Sequence, residues 1–239
     1  MKNRDIIILM MAGMVAIACQ EEGDPAPREI ELIYDFQENE QEWLGGFSDL
    51  PEEGQDIYEL EISHAPLPPE ANSSGNAIRI QGHNRSDDLF MFLKKYVSGL
   101  EPSARYRIIY EIELASQYPE NSVGIGGSPG GSVFLKAGAA TIEPKVEVQA
   151  VAGTNYLRMN IDNGNQSQDG TDMYNIGTIG IEGEVYQYEL ISRGNEVRPF
   201  EVSTDTGGGL WLIVGTDSGF EGLTVLYYNN IKVKLEKID

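Results

Sequence analysis

From Glu29 onward, apolar and polar side chains alternate over short runs, the two-residue period of strands with one face buried. Ile30, Leu32, Tyr34 and Phe36 alternate with Glu29, Glu31, Ile33 and Asp35. The clearest run puts Tyr106, Ile108, Tyr110, Ile112 and Leu114 on one side and Arg105, Arg107, Glu111 and Glu113 on the other. Further strands are predicted at residues 57–62, 76–81, 89–97, 132–137, 145–151, 156–161, 173–179, 185–191, 198–202 and 224–235. The unbroken apolar run 210–214 predicts a strand buried on both faces, with Trp211 in the core. Glycine-rich and polar stretches separate these runs: a turn region at 43–47, and loops at 64–75, 82–88, 116–131, 162–172 and 215–222. No segment keeps a 3.6-residue apolar period and no repeat appears, so residues 29–239 read as a single all-β sandwich or barrel.

The first 28 residues follow other rules. Lys2 and Arg4 precede an apolar or small run at residues 6–18, which ends at Cys19, the only cysteine. As a helix that run reaches roughly 20 Å, short of the ~30 Å hydrocarbon core, which suits a signal segment rather than a membrane span. Ala16-Ile17-Ala18-Cys19 resembles a bacterial lipobox, with Ala16 where leucine is usual. The resemblance implies that residues 1–18 are a removable lipoprotein signal peptide and that Cys19 carries the lipid. Two or more acyl chains anchor a protein stably where one does not, so such a protein stays on its membrane. Gln20-Glu21-Glu22 is similar to the surface-export signal of Bacteroidetes lipoproteins, which implies an outer-membrane, cell-surface location. Residues 19–28, with Pro25 and Pro27 among charges, read as the acylated cysteine and a flexible tether.

Charge and composition narrow the partners. The 239 residues carry a formal charge of -21; without the first eighteen, 15 basic and 37 acidic residues remain, net -22. That balance argues against nucleic acid and anionic lipid and suits neutral glycans or cations. One cysteine and two histidines leave too few ligands for a zinc site, and no disulfide can form within the chain.

Tyr34-Asp35-Phe36-Gln37 with Trp43, the segment 98–112, and the closing run Leu226-Tyr227-Tyr228-Asn229-Asn230-Ile231 together resemble jelly-roll β-sandwiches of the carbohydrate-binding-module and galactose-binding-like kind. The resemblance implies that the first and last strands lie side by side. It also implies a structural calcium held between them, at positions that here are the neutral Gln37 and Asn229. Asn229 shares a two-residue period with Val225, Tyr227, Ile231, Val233 and Leu235 and is expected to point inward, joining the terminal strands by hydrogen bonds.

Three polar constellations offer chemistry. His83, Asn84, Arg85, Asp87 and Asp88 occupy one short connection and have the side chains that hold sugar hydroxyls; the same residues also make a self-contained turn. Asp162, Asn165, Asp169 and Asp172 supply the oxygens calcium prefers, without the spacing of an EF-hand loop, and equally make an Asx-rich turn. Asp217, Phe220 and Glu221 sit on a glycine-flanked stretch where Phe220 would stack on a sugar or tuck into the core. Trp43, Tyr118 and Tyr174 are further stacking platforms. Acid pairs for glycoside hydrolysis are too easily found among 37 carboxylates to single one out, and no strand–nucleophile–helix elbow is present. The favoured reading is a non-catalytic, membrane-anchored glycan-binding lipoprotein. A structural or interaction subunit of an outer-membrane assembly and a jelly-roll enzyme acting on polysaccharide stand as alternatives.

Overall fold

In the computed structural model, residues 29–238 are described, and Cys19 with the signal and tether segments lies outside them. Fifteen strands follow in order: β1 (Glu29–Tyr34), β2 (Leu44–Ser48), β3 (Leu50–Pro51), β4 (Glu61–Pro66), β5 (Asn76–His83), β6 (Leu89–Val97), β7 (Arg105–Ser116), β8 (Val133–Ala140), β9 (Val146–Val151), β10 (Thr154–Met159), β11 (Met173–Thr178), β12 (Glu189–Gly194), β13 (Phe200–Ser203), β14 (Leu210–Ser218) and β15 (Leu223–Ile238). They form a seven-stranded sheet along β12-β7-β15-β5-β4 and a five-stranded sheet in the order β11-β8-β14-β6-β2. In the first, β1 is added to β15 and β13 to β7. The strand pairs are antiparallel, as expected of a jelly-roll sandwich.

The two sheets bury one core between them. Tyr106, Ile108, Tyr110, Ile112 and Leu114 of β7 face Leu89, Met91 and Leu93 of β6 and Leu210, Leu212 and Val214 of β14 across it. The alternation along β7 is therefore the inward face, and burying each such side chain contributes about 1.5–3 kcal/mol. A small third sheet, β3-β10-β9, closes over the outer face of the five-stranded sheet. There Phe90, Phe92 and Ile213 pack against Met159, Ile161 and Met173. The first and last strands pair, Glu29 opposite Glu236 and Tyr34 opposite Ile231. Glu29 thus enters at one end of the sandwich; the loops after β5 and β14 lie at the other, where His83 faces Leu223 and Leu89 faces Ser218.

Several local expectations are corrected. Residues 44–48 are strand β2, not a turn: Gly45 and Gly46 hid the pattern, and a Cβ on Gly46 would lie 2.6 Å from the Phe92 ring. Residues 55–58 form a 3-10 turn and β4 begins at Glu61, so the strand predicted at 57–62 starts later and runs into the expected loop. β14 continues to Ser218, which makes 215–218 strand rather than loop. Trp43 is buried, edge-on to Tyr34 at 5.4 Å.

A register shift between Tyr228 and Asn230 reverses the expected face of β15 before it and leaves Ile231, Val233 and Leu235 inward as expected. Leu226 and Tyr228 point into the core before it, and Ile231, Val233 and Leu235 after it. One extra residue in a strand flips the two-residue period, which no alternation count anticipates. Asn229 is consequently half-buried, and its amide donates to Glu113 Oε1 on β7 at 2.6 Å rather than joining β1 to β15.

Candidate functional site

Parts of the three polar constellations meet at one end of β6, β8 and β14, interior strands of the five-stranded sheet. Asn84 donates from its side chain to the Ser218 carbonyl at 2.8 Å and from its backbone to Gly222 at 3.0 Å. Asn165 donates to Asp88 Oδ2 at 3.1 Å, and the Gln166 amide to Asp217 Oδ2 at 2.9 Å. Beneath the 163–168 loop lies Lys136, from β8, fully buried beside the equally buried Asp217 of β14. Its three ammonium protons go to Asn163 O, Gln168 O and Asp217 Oδ2 at 2.7, 3.0 and 3.0 Å. Asp49 completes the group through its ion pair with Arg158 of β10.

This group is nearly balanced in charge. Asp49, Asp88 and Asp217 stand against Lys136 and Arg158, so one retained proton makes it neutral. Burial, followed by the neighbouring Asp217, pushes the Asp88 carboxyl up to about 9. Burial also raises Asp49 against the opposing pull of Arg158. Asp88 Oδ1 and Asp217 Oδ1 are the two buried carboxylate oxygens here with no partner, which one shared proton would satisfy.

The other predicted residues are held by protein partners. His83 Nδ1 lies 2.8 Å from Glu59 Oε1, and Arg85 reaches the same carboxylate at 3.5 Å and Ile57 O at 3.2 Å. Asp87 is exposed, with a left-handed backbone (φ 73°). Phe220 is wedged where Cβ atoms on Gly124 and Gly222 would lie 2.5 and 2.2 Å from its ring, and Glu221 N donates to Ile125 O at 2.8 Å. Phe220 thus packs against the core cluster, while Glu221 is exposed.

Asp162 accepts from the Gly164 and Thr171 amides at 3.1 and 2.9 Å, which lowers its carboxyl pKa, and Gly164 allows that turn with its φ of 74°. Asp172 accepts from Asp162 N at 2.8 Å, and Asp169 pairs with both terminal nitrogens of Arg198. The carboxylates suggested for calcium are thus spent on backbone amides and an arginine. Among the described residues, no group of three His, Cys, Asp or Glu is placed to hold a metal ion. The residues of this loop do not fit calcium.

Among the described residues, two aromatic surfaces are exposed. Trp211 is half-exposed on the outer face rather than in the core, tilted against Tyr96 at 5.2 Å with Lys94 Nζ 5.2 Å from its ring centre. The second surface precedes β12. The strand predicted at 185–191 begins only at Glu189, which leaves Val185 and Tyr186 69% and 53% exposed. Here a cleft of about 460 Å³ is lined by Glu70, Gln117, Val185, Tyr186, Gln187 and Tyr188.

Tyr186 stands edge-on to the buried Tyr118 at 6.5 Å, and Tyr188 edge-on to Tyr227 at 5.5 Å. Tyr118 is fixed beneath by donating to Leu223 O at 3.1 Å and accepting from Val225 N at 2.8 Å. Gln117 donates to the Tyr188 hydroxyl at 3.3 Å. Leu67, Ala71, Ala77 and Ala115 form the floor, with Leu190 packed against them. Burial first, then the Tyr118 and Tyr227 hydroxyls, push the Tyr188 phenol far above its ordinary value, so it is neutral and able to donate at physiological pH.

No protein-family model and no curated protein matches the chain. Solved structures resemble the chain only weakly. One is the mannan-recognising carbohydrate-binding module TmCBM27, at 11% identity and a TM-score of 0.38, covering 89% of this chain and 100% of that one. Another is the family 11 carbohydrate-binding module from Clostridium thermocellum, in complex with a mixed-linked tetrasaccharide, at 10% identity and 0.34, covering 86% and 95%. The enzymatically active domain of tailspike protein 4 from bacteriophage CBA120 is similar at 11% and 0.35; this chain matches 85% of its own length but only 20% of that protein. Likeness of this degree says nothing about a ligand.

What the cleft offers chemically follows from its own residues. A half-exposed tyrosine ring presents an apolar face, while Glu70, Gln117, Gln187 and the Tyr188 hydroxyl supply hydrogen-bond donors and acceptors around it. Asp217, by contrast, is enclosed beneath the 163–168 loop, and the half-buried Asp88 turns its Oδ1 inward beside it.

Proposed function

We propose that this protein is an outer-membrane lipoprotein, tethered through Cys19, whose β-sandwich binds glycan non-catalytically in the tyrosine cleft. The carrying observation is the exposed Tyr186 ring, braced by Tyr118 and flanked by the amides and hydroxyl of Gln117, Gln187 and Tyr188. Sugars present apolar C–H faces rimmed by hydroxyls, and a rigid tyrosine surrounded by neutral donors and acceptors complements both. The cleft is built around the ends of β7, β12 and β15 that lie away from Glu29, so a ligand would approach from the side opposite the tether.

A panel of polysaccharides tests the binding. Wild type should be retained by at least one of them, and Tyr186→Ala should weaken that retention about tenfold or more, the scale of one removed aromatic anchor. Retention unchanged by Tyr186→Ala would remove the cleft from the proposal. Tethering is tested separately by Cys19→Ser, which should abolish acyl labelling and release the protein from the membrane fraction.

A further inference from the structure

We propose that the tyrosine cleft prefers sugars carrying a free amine and disfavours acidic sugars, with Glu70 as the counter-charge. This rests on the glycan reading of the same cleft and adds the class of ligand. Glu70 is the one acidic side chain lining the cleft, and it has no ion-pair partner among the described residues. It sits on a short 3-10 turn, Pro69–Ala71, fixed against the outer face of the seven-stranded sheet by Ala71 and the neighbouring Leu67. Glu70 is itself exposed, so its charge acts through solvent.

The surroundings reinforce that sign. The segment 182–189 contributes Glu182, Glu184 and Glu189, all exposed, and no basic residue. The cation that acts on the Tyr188 phenol, Arg79, is balanced by its ion pair with Glu61. With a Debye length of ~8 Å at physiological salt, these local charges outweigh the distant ones. A uronate would meet the Glu70 carboxylate there, whereas an ammonium group gains a charge-assisted hydrogen bond to it. The phenols of Tyr118 and Tyr188 are both held neutral by burial and add no competing charge at neutral pH.

The test compares retention of the full chain on matched oligomers of glucosamine, N-acetylglucosamine and galacturonate near pH 6. The expected order is amine first, acetylated second and uronate last. The amine-to-acetyl ratio should be on the order of 3–5-fold, the size of one exposed, salt-screened pair. Glu70→Gln should bring that ratio to about one, and so should salt raised to about 1 M, where the Debye length is ~3 Å. Uronate bound as tightly as amine overturns the preference, and a preference that survives Glu70→Gln overturns the role of Glu70. If none of the three oligomers nor any neutral polysaccharide is retained, the glycan reading falls together with this one. Loss of the amine preference with neutral binding intact removes only the ligand class.

Discussion

The polar group around Lys136 and Asp217 and the cleft around Tyr186 are built on opposite principles. The first gathers aspartates, a lysine and an arginine, and most of its polar atoms are consumed by protein partners. The second is made of tyrosines, glutamines and one glutamate, and its groups are left facing outward. A buried, mutually satisfied ion pair holds loops to a sheet, and losing one member leaves an uncompensated charge. An exposed ring over a small apolar floor has stability to spare and surface to offer. Residue type therefore says little about availability; the decisive fact is which polar atoms the rest of the chain has already engaged.

The sharpest way to break this contrast is at Lys136. Lys136→Met should cost about 3–5 kcal/mol in denaturant unfolding, since Asp217 is left buried without its cation. Combining it with Asp217→Leu should recover much of that loss; a double variant no better than the single one would mean that the pair does not act as a unit. At the cleft the pattern should invert. Tyr186→Ala should change stability by about 0.5 kcal/mol or less, as expected for a half-exposed side chain, while lowering glycan retention about tenfold.

The pH dependence sharpens the comparison further. Folded Asp88 holds its proton up to about 9, whereas the unfolded carboxyl releases it near the ordinary 3.8, so in that window the folded state binds more protons. Stability from this group is therefore full at the acidic end of the window and falls as pH rises toward 9. Asp88→Asn should flatten that slope in a series of thermal melts, and an unchanged slope would place the retained proton elsewhere. Asp162 and Asp169, both lowered by their hydrogen-bond donors, work in the opposite sense, and their contribution should vanish as pH falls below the usual carboxylate range. The smallest effect is expected from calcium. Excess calcium over chelator should leave the melting temperature unmoved, because Arg198 and backbone amides already occupy the loop carboxylates.

Much of the sandwich is legible in the alternation of the chain, because strand burial has a local period of two and β7 displays it over ten residues. The pairing of first and last strands agrees with the resemblance to jelly-roll modules. Errors fall where something non-local interrupts the period: the glycines of β2 packed against Phe92, and the shift in β15 that turned Asn229 aside. The site was legible only in pieces. His83–Asp88, Asp162–Asp172 and Asp217–Glu221 each stood out by composition, yet Lys136, which binds two of them together, looks like any outward lysine of a half-buried strand. Tyr186 and Tyr188 likewise read as alternate positions of one more strand.

By itself, then, the sequence determined the all-β class and the inward face of its longest regular strand, since each depends on neighbours within a few residues. Only the tertiary structure decided which polar groups are spent and which are free. Asp88 meets Asn165 across 77 positions and Asp217 meets Gln166 across 51. Contacts at such separations depend on how strands are ordered in a sheet, and no local period carries that information.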